Sequence, residues 1–293
     1  MIENLFLSVG AMKAGTTWVY DKLQHNPNII FSKEKEIYYF SHIDGVANSL
    51  DSTKRVRRAK QATQQSARLL NKNEITLKEH NEALNWYFDY AGNEVNDDWY
   101  EQLFGFDNCS SNSNFCADFS NLTCFLSEDG WEHVKNIAKN VKVIYILRNP
   151  VDRFWSHYKF HLQFIKHAEM NTPEQNIKLF ERVTSKKWFI RNSMYSENIT
   201  NMRKYLAEHE FKIYFLDDIS TEPEKYLEDI ENFIGVDNFD YSSMKLQARK
   251  NSSIVKNIPD LWLKKIEAVL SEEVERLKEL GLWHKAWTAN NTK

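Results

Sequence analysis

Lys13, Thr16 and Thr17 lie in the stretch Leu5-Phe-Leu-Ser-Val-Gly10-Ala-Met-Lys13-Ala-Gly15-Thr16-Thr17-Trp18, an apolar run that passes through glycines into a helix-forming segment. The first N–H groups of a helix have no internal partner and carry about half a positive charge, so a turn with little side-chain bulk offers them to an anion. Gly10 and Gly15 allow the backbone to approach closely. This chemistry is phosphate binding. A second candidate lies in Val141-Lys-Val-Ile-Tyr-Ile-Leu147-Arg148-Asn149-Pro150-Val151-Asp152-Arg153-Phe-Trp-Ser156. Arg148 ends an apolar β-rich run, where open α/β sheets bind ligands. Ser156 follows it on a helix entered at Pro150, close enough in sequence to return its hydroxyl toward a phosphate that the guanidinium grips bidentately.

The spacing G-x-x-x-x-G resembles a nucleoside-triphosphate P-loop, but there the lysine follows the second glycine, whereas Lys13 precedes Gly15. The displaced lysine and the lack of an acidic Mg²⁺ ligand disfavour a kinase or other P-loop nucleotide enzyme. Together, in this order, the two segments resemble the sulfotransferases that use 3′-phosphoadenosine 5′-phosphosulfate (PAPS). The resemblance implies a P-loop-like α/β fold, a parallel sheet flanked by helices. It implies that Lys13, Gly15, Thr16 and Thr17 line the 5′-phosphosulfate side, that Arg148 and Ser156 hold the 3′-phosphate, and that Trp18 also contacts the cofactor. Tyr195, in Arg191-Asn-Ser193-Met-Tyr195, matches the adenine-side segment, and Arg249 and Lys250, in Arg249-Lys250-Asn251-Ser252, match a late loop over the 3′-phosphate.

Between these sites, Glu34-Lys-Glu36-Ile-Tyr-Tyr-Phe40 resembles a Lys/Glu-rich stretch of the carbohydrate branch, in which the glutamate is the general base. Trp99 to Phe104 and Asp118 to Asn121 resemble that branch's next two segments. Heparan sulfate enzymes carry Glu-Lys-Ser/Thr-Pro around the latter, whereas here Phe119 takes the lysine position and Asn121 the proline position. Cytosolic small-molecule enzymes use a histidine base in this region, and residues 114–121 contain none. The expectation is therefore sulfonate transfer from PAPS to a hydroxyl, on a carbohydrate or other small molecule, with Lys13 and Glu36 catalytic. A non-catalytic polysaccharide-binding protein is the other alternative.

Composition agrees with one large α/β domain: 293 residues suffice for a full core, 14% are aromatic and 42% hydrophobic. A net charge of −3 gives no general affinity for nucleic acid. No apolar run approaches the ~18 residues of a membrane span. The first strand begins so early that no signal peptide is expected before it. Cys109, Cys116 and Cys124, odd in number and without metal-ligand spacing, suggest reduced thiols and a cytoplasmic location. No metal is expected, since nothing completes a ligand set with His157 and His161. Asn121-Leu-Thr and Asn251-Ser-Ser fit the glycosylation pattern but fall in segments assigned to the site.

These residues need elements to position them. Strands are expected at about Leu5 to Val9, Val141 to Leu147 and Lys212 to Leu216, with another near Asn114 to Phe119, all separated by helices. The spacing of Leu261, Ile266, Val269, Leu270, Val274, Leu277 and Leu280 predicts a packing helix closed by Gly281, with Trp283 and Trp287 in the core. One sulfotransferase domain is expected over 1–293, with an insert at about 44–109. The insert's basic run, Lys54 to Lys60, suggests a helix with a cationic face, either solvated or gripping substrate.

Overall fold

A computed structural model describes residues 1–162, 173–246 and 258–288. Five strands, β1 (Ile2–Ser8), β2 (Ile29–Phe31), β3 (Phe115–Asp118), β4 (Ala138–Leu147) and β5 (Phe211–Phe215), form one parallel sheet in the order β2-β3-β1-β4-β5. Leu5 on β1 lies in register with Cys116 on one side and Val141 on the other. Parallel pairing requires every connection to cross over the sheet, so all five carboxyl ends share one edge. The chain leaves β1 toward β2 and β3 and returns on its other side for β4 and β5, which opens a crevice beside the end of β1.

The helices between β1 and β3 are α1 (Thr16–Leu23), α2 (Tyr39–Ile43), α3 (Ser52–Asn71), α4 (Leu77–Gly92), α5 (Asp97–Gln102) and α6 (Phe106–Cys109). The insert is thus helical, and α3 and α4 pair as a hairpin. Asp51 caps α3, and Thr76 with Glu79 forms a capping box on α4. After β3 come α7 (Glu128–Ile137), then, beyond β4, α8 (Pro150–Leu162), α9 (Pro173–Thr184), α10 (Lys187–Arg191) and α11 (Tyr195–Tyr205). Beyond β5 lie α12 (Leu216–Ile219), α13 (Pro223–Ile234), α14 (Asp260–Glu279) and α15 (Lys285–Thr288).

The apolar runs expected as strands form β1, β3, β4 and β5, with ends moved by at most three residues. β2 went unforeseen because three residues are too few to display alternation. The predicted helix forms as α14, but of its predicted packing positions only Ile266, Leu270 and Leu277 are buried, joined by Trp262. Leu261, Val269 and Leu280 are exposed because the apolar spacing is broader than the face the helix buries. Its end is a glycine cap: Gly281 has φ 68° and the Leu282 amide donates to the Leu277 carbonyl at 2.8 Å. Trp287 is 3% exposed, in the core. All three cysteines are free and buried.

The basic run divides. Arg55 turns inward and donates to the carbonyls of Leu50, Tyr90 and Asn93, tying α3 to the end of α4. Arg58 donates to Tyr90 Oη and lies over the Tyr38 ring, while Arg57 and Lys60 are exposed.

Candidate active site

The loop after β1 continues to pair with β4: the Ala11 amide donates to Ile146 O and the Ile146 amide to Gly10 O, both at 2.8 Å. The loop then turns through left-handed conformations at Lys13 (φ 71°) and Gly15 (φ 87°). A Cβ at Gly15 would lie 2.5 Å from Leu216 Cδ1, the end of a side chain that can move aside, so it is the left-handed φ that favours glycine there. Gly15 is the N-cap of α1 and no side chain caps it; the Trp18 and Val19 amides donate to the Gly15 carbonyl, so the Thr16 and Thr17 amides are the ones available to an anion.

Arg148, directly after β4, donates from Nη1 to the Lys13 carbonyl at 3.2 Å, and Tyr195 Oη donates to the Arg148 carbonyl at 3.2 Å. The two expected phosphate segments are therefore fastened to each other. Tyr195 is fully buried and meets Arg148 through this backbone bond. Ser156 is half-buried on α8. Trp18 Nε1 donates to the Leu246 carbonyl at 3.1 Å. Arg249 and Lys250 lie outside the described residues.

The Lys13 ammonium sits 4.3 Å from the centre of the Phe160 ring. Burial, then the nearby Arg148 charge, pushes its pKa below the ordinary lysine value, while Glu36 opposes the shift. Glu36, in the turn after β2, is thus near enough for its charge to act on Lys13. Asn121 Nδ2 donates to Glu36 Oε1 at 2.9 Å and Tyr38 Oη donates to Oε2. An ionised carboxylate has about four acceptor positions, so these bonds leave room for a further proton donor.

Behind Glu36 is a polar network. The Tyr38 amide donates to Ser120 Oγ at 2.8 Å, and Ser120 and Tyr100 donate to Asp118 at 2.5 and 3.2 Å. Asp118 is 1% exposed, and burial pushes its pKa up to about 7. Phe119 packs against Phe6, Tyr20 and Phe31, so this position contributes to the core and supplies no charge.

Sequence reasoning singled out neither Lys35 nor Tyr38. Lys35 Nζ lies 3.3 Å from Thr16 Oγ1, 3.2 Å from Thr17 Oγ1 and 3.5 Å from Glu36 Oε1. Within a run of four alternating lysines and glutamates, spacing alone does not distinguish the members that face the crevice. His157 is buried, stacked on Phe189 at 4.2 Å, and burial with the neighbouring Arg153 lowers its pKa to about 3; it is a packing group.

With this geometry in place, the comparison with protein families is decisive: the sulfotransferase domain family matches residues 120–279, more than half of the chain. The chain belongs to the sulfotransferase family. The matched segment contains Arg148 and Ser156, while Lys13 and Glu36 precede it. Among solved structures, a sulfotransferase from Alicyclobacillus acidocaldarius is 19% identical with a TM-score of 0.63, covering 98% of this chain and 100% of that one. The sulfotransferase domain from the curacin biosynthetic pathway is 14% identical with a TM-score of 0.58, over 97% and 99% of the two chains. The corresponding domain of the Synechococcus PCC 7002 olefin synthase is 16% identical with a TM-score of 0.52, over 95% and 96%. These likenesses establish the single-domain sulfotransferase fold. No curated protein matches the sequence.

Proposed function

We propose that this sulfotransferase takes its sulfonate group from PAPS and transfers it to a carbohydrate hydroxyl. The observation that carries the reading is the convergence, at the carboxyl edge of the sheet, of Lys13 after β1, Glu36 after β2 and Arg148 after β4. Neither Lys13 nor Arg148 has a carboxylate within ion-pair distance among the described residues, a donor set suited to an anionic ligand. PAPS, when bound, supplies an activated sulfur and a bisphosphate leaving group.

The α1 amides with Thr16 and Thr17 hold the 5′-phosphate, and Arg148 with Ser156 selects the 3′-phosphate that ATP lacks. Trp18, Tyr195, Arg249 and Lys250 belong to the same nucleotide site in this reading. The acceptor oxygen forms the new S–O bond, the bridging S–O bond breaks, Glu36 takes the acceptor proton, and Lys13 neutralises charge growing on the bridging oxygen. The Glu36 segment and the lack of a histidine in residues 114–121 favour a carbohydrate acceptor. In this reading the insert at 44–109 lies on the acceptor side, supported by Arg58, which sits over the ring of Tyr38, the donor to Glu36. Three free, buried thiols favour the cytoplasm as the place of reaction.

The test is a melting curve with 3′,5′-bisphosphoadenosine (PAP) against ATP with Mg²⁺. At ~100 times its dissociation constant, PAP should stabilise the protein by about 2.7 kcal/mol. A shift with ATP and none with PAP overturns the reading. Where PAP binds, a sulfate-transfer screen over sugars, phenols, lipids and alcohols identifies the acceptor.

A further inference from the structure

We propose that Lys35 is a positioning residue of the transfer site, turning the Thr16 and Thr17 hydroxyls into donors for the bound anion and bringing a second positive charge to the transferred group. This inference rests on the reading of the same site given above.

An ammonium has three donors and no acceptor, so both threonine hydroxyls must accept from Lys35. Their own hydrogens then point away from the ammonium. A hydroxyl on a helix can otherwise turn back to a carbonyl of the preceding turn. At the uncapped start of α1, the outward hydrogens add to the free amides as donors to a phosphate or sulfonate oxygen. Lys35 thereby fixes one of several available hydroxyl arrangements before the ligand arrives.

The third direction of the ammonium faces Glu36 Oε1 at 3.5 Å. One side chain thus joins the anion-holding hydroxyls to the carboxylate placed to accept the proton. Lys35 reaches this position across the face of Tyr20, 6.0 Å from the ring centre, and Tyr20 packs edge-on against Phe119 at 5.6 Å. The apolar residue at 119 leaves that side of the crevice without charge, and Lys35 brings one in from the end of β2. Burial lowers the Lys35 pKa and Glu36 opposes the shift, as for a cation held partly out of water beside its counter-ion.

The test measures PAP affinity by calorimetry on the full chain for wild type, Lys35→Met, Thr17→Val and the double variant. Each single change should weaken PAP binding at least ~10-fold, the loss of a hydrogen bond involving a charged group. Because both remove the same donor arrangement, the double variant should lie within ~2-fold of the weaker single. Losses that multiply in the double variant, or a Lys35→Met affinity within ~2-fold of wild type, overturn the proposal and leave the PAPS reading intact. A wild type that does not bind PAP overturns the PAPS reading itself. Should Lys35→Met fail to fold, Lys35→Gln is read by the same criteria.

Discussion

Replacing Lys13 with alanine should separate what this residue does for the fold from what it does for the donor. The strained φ of 71° persists in Lys13→Ala and cancels from the comparison, and the Arg148 bond to the Lys13 carbonyl involves only backbone at that position. What is lost is the ammonium 4.3 Å from the Phe160 ring, a cation–π contact of ~0.5–1 kcal/mol. What is gained is relief of burial and of repulsion from Arg148, Lys159 and Lys35, less the Glu36 attraction that opposes them. The two nearly cancel, so the unfolding free energy should move by less than ~1 kcal/mol in a urea titration. Turnover should fall ~10²–10³, about 3–4 kcal/mol of transition-state stabilisation, because a fixed charge in the site needs no reorganisation. Both are measured on the same preparations, turnover at saturating PAPS with the acceptor found by the screen. A stability loss beyond ~2 kcal/mol would make Lys13 a structural residue, and turnover within ~3-fold of wild type would remove it from the chemistry.

Two further outcomes are expected. Glu36→Gln should lower turnover ~10²–10⁴ with a sugar hydroxyl and leave PAP affinity within a few-fold; the defect should shrink with a phenol, whose pKa near ~10 lessens its need for a base, and unimpaired sugar turnover would disqualify Glu36. Asp118, raised by burial from 3.8 to about 7, contributes stability that is fully present below its unfolded pKa and lost as pH rises through about 7. That shift corresponds to about 4 kcal/mol. Denaturant titrations at pH 5 and pH 8 should therefore show wild type losing more stability with rising pH than Asp118→Asn, and parallel losses would refute the argument.

The strands and the glycine loop after β1 were legible because their signals are local. β1 and β4 are apolar runs that end in chemistry, Lys13 and Arg148, and α14 repeats its apolar residues every three or four positions. Gly15 announced its own turn, since glycine adopts the left-handed φ of 87° found there without strain. β2 carried no such signal, because three residues paired to β3 take their strand character from the neighbour they bond to.

The chemical vocabulary of the site is therefore written in the sequence: a glycine turn, a lysine, two hydroxyls, an arginine after a strand and a glutamate in a charged run. Which members of that run face one another is a tertiary matter. Asn121 meets Glu36, and Lys35 meets Thr16 and Thr17, only because parallel β2, β3 and β1 end on one edge, which brings Asn121 and Glu36, 85 apart in sequence, within 2.9 Å. The same folding sent Arg55 inward to three carbonyls and left Arg57 in water, although the two are neighbours in one basic run. Composition and spacing specify which groups a chain possesses; the pairing of strands distant in sequence decides which groups share a solvent-poor crevice, where charges and donors act on one another strongly.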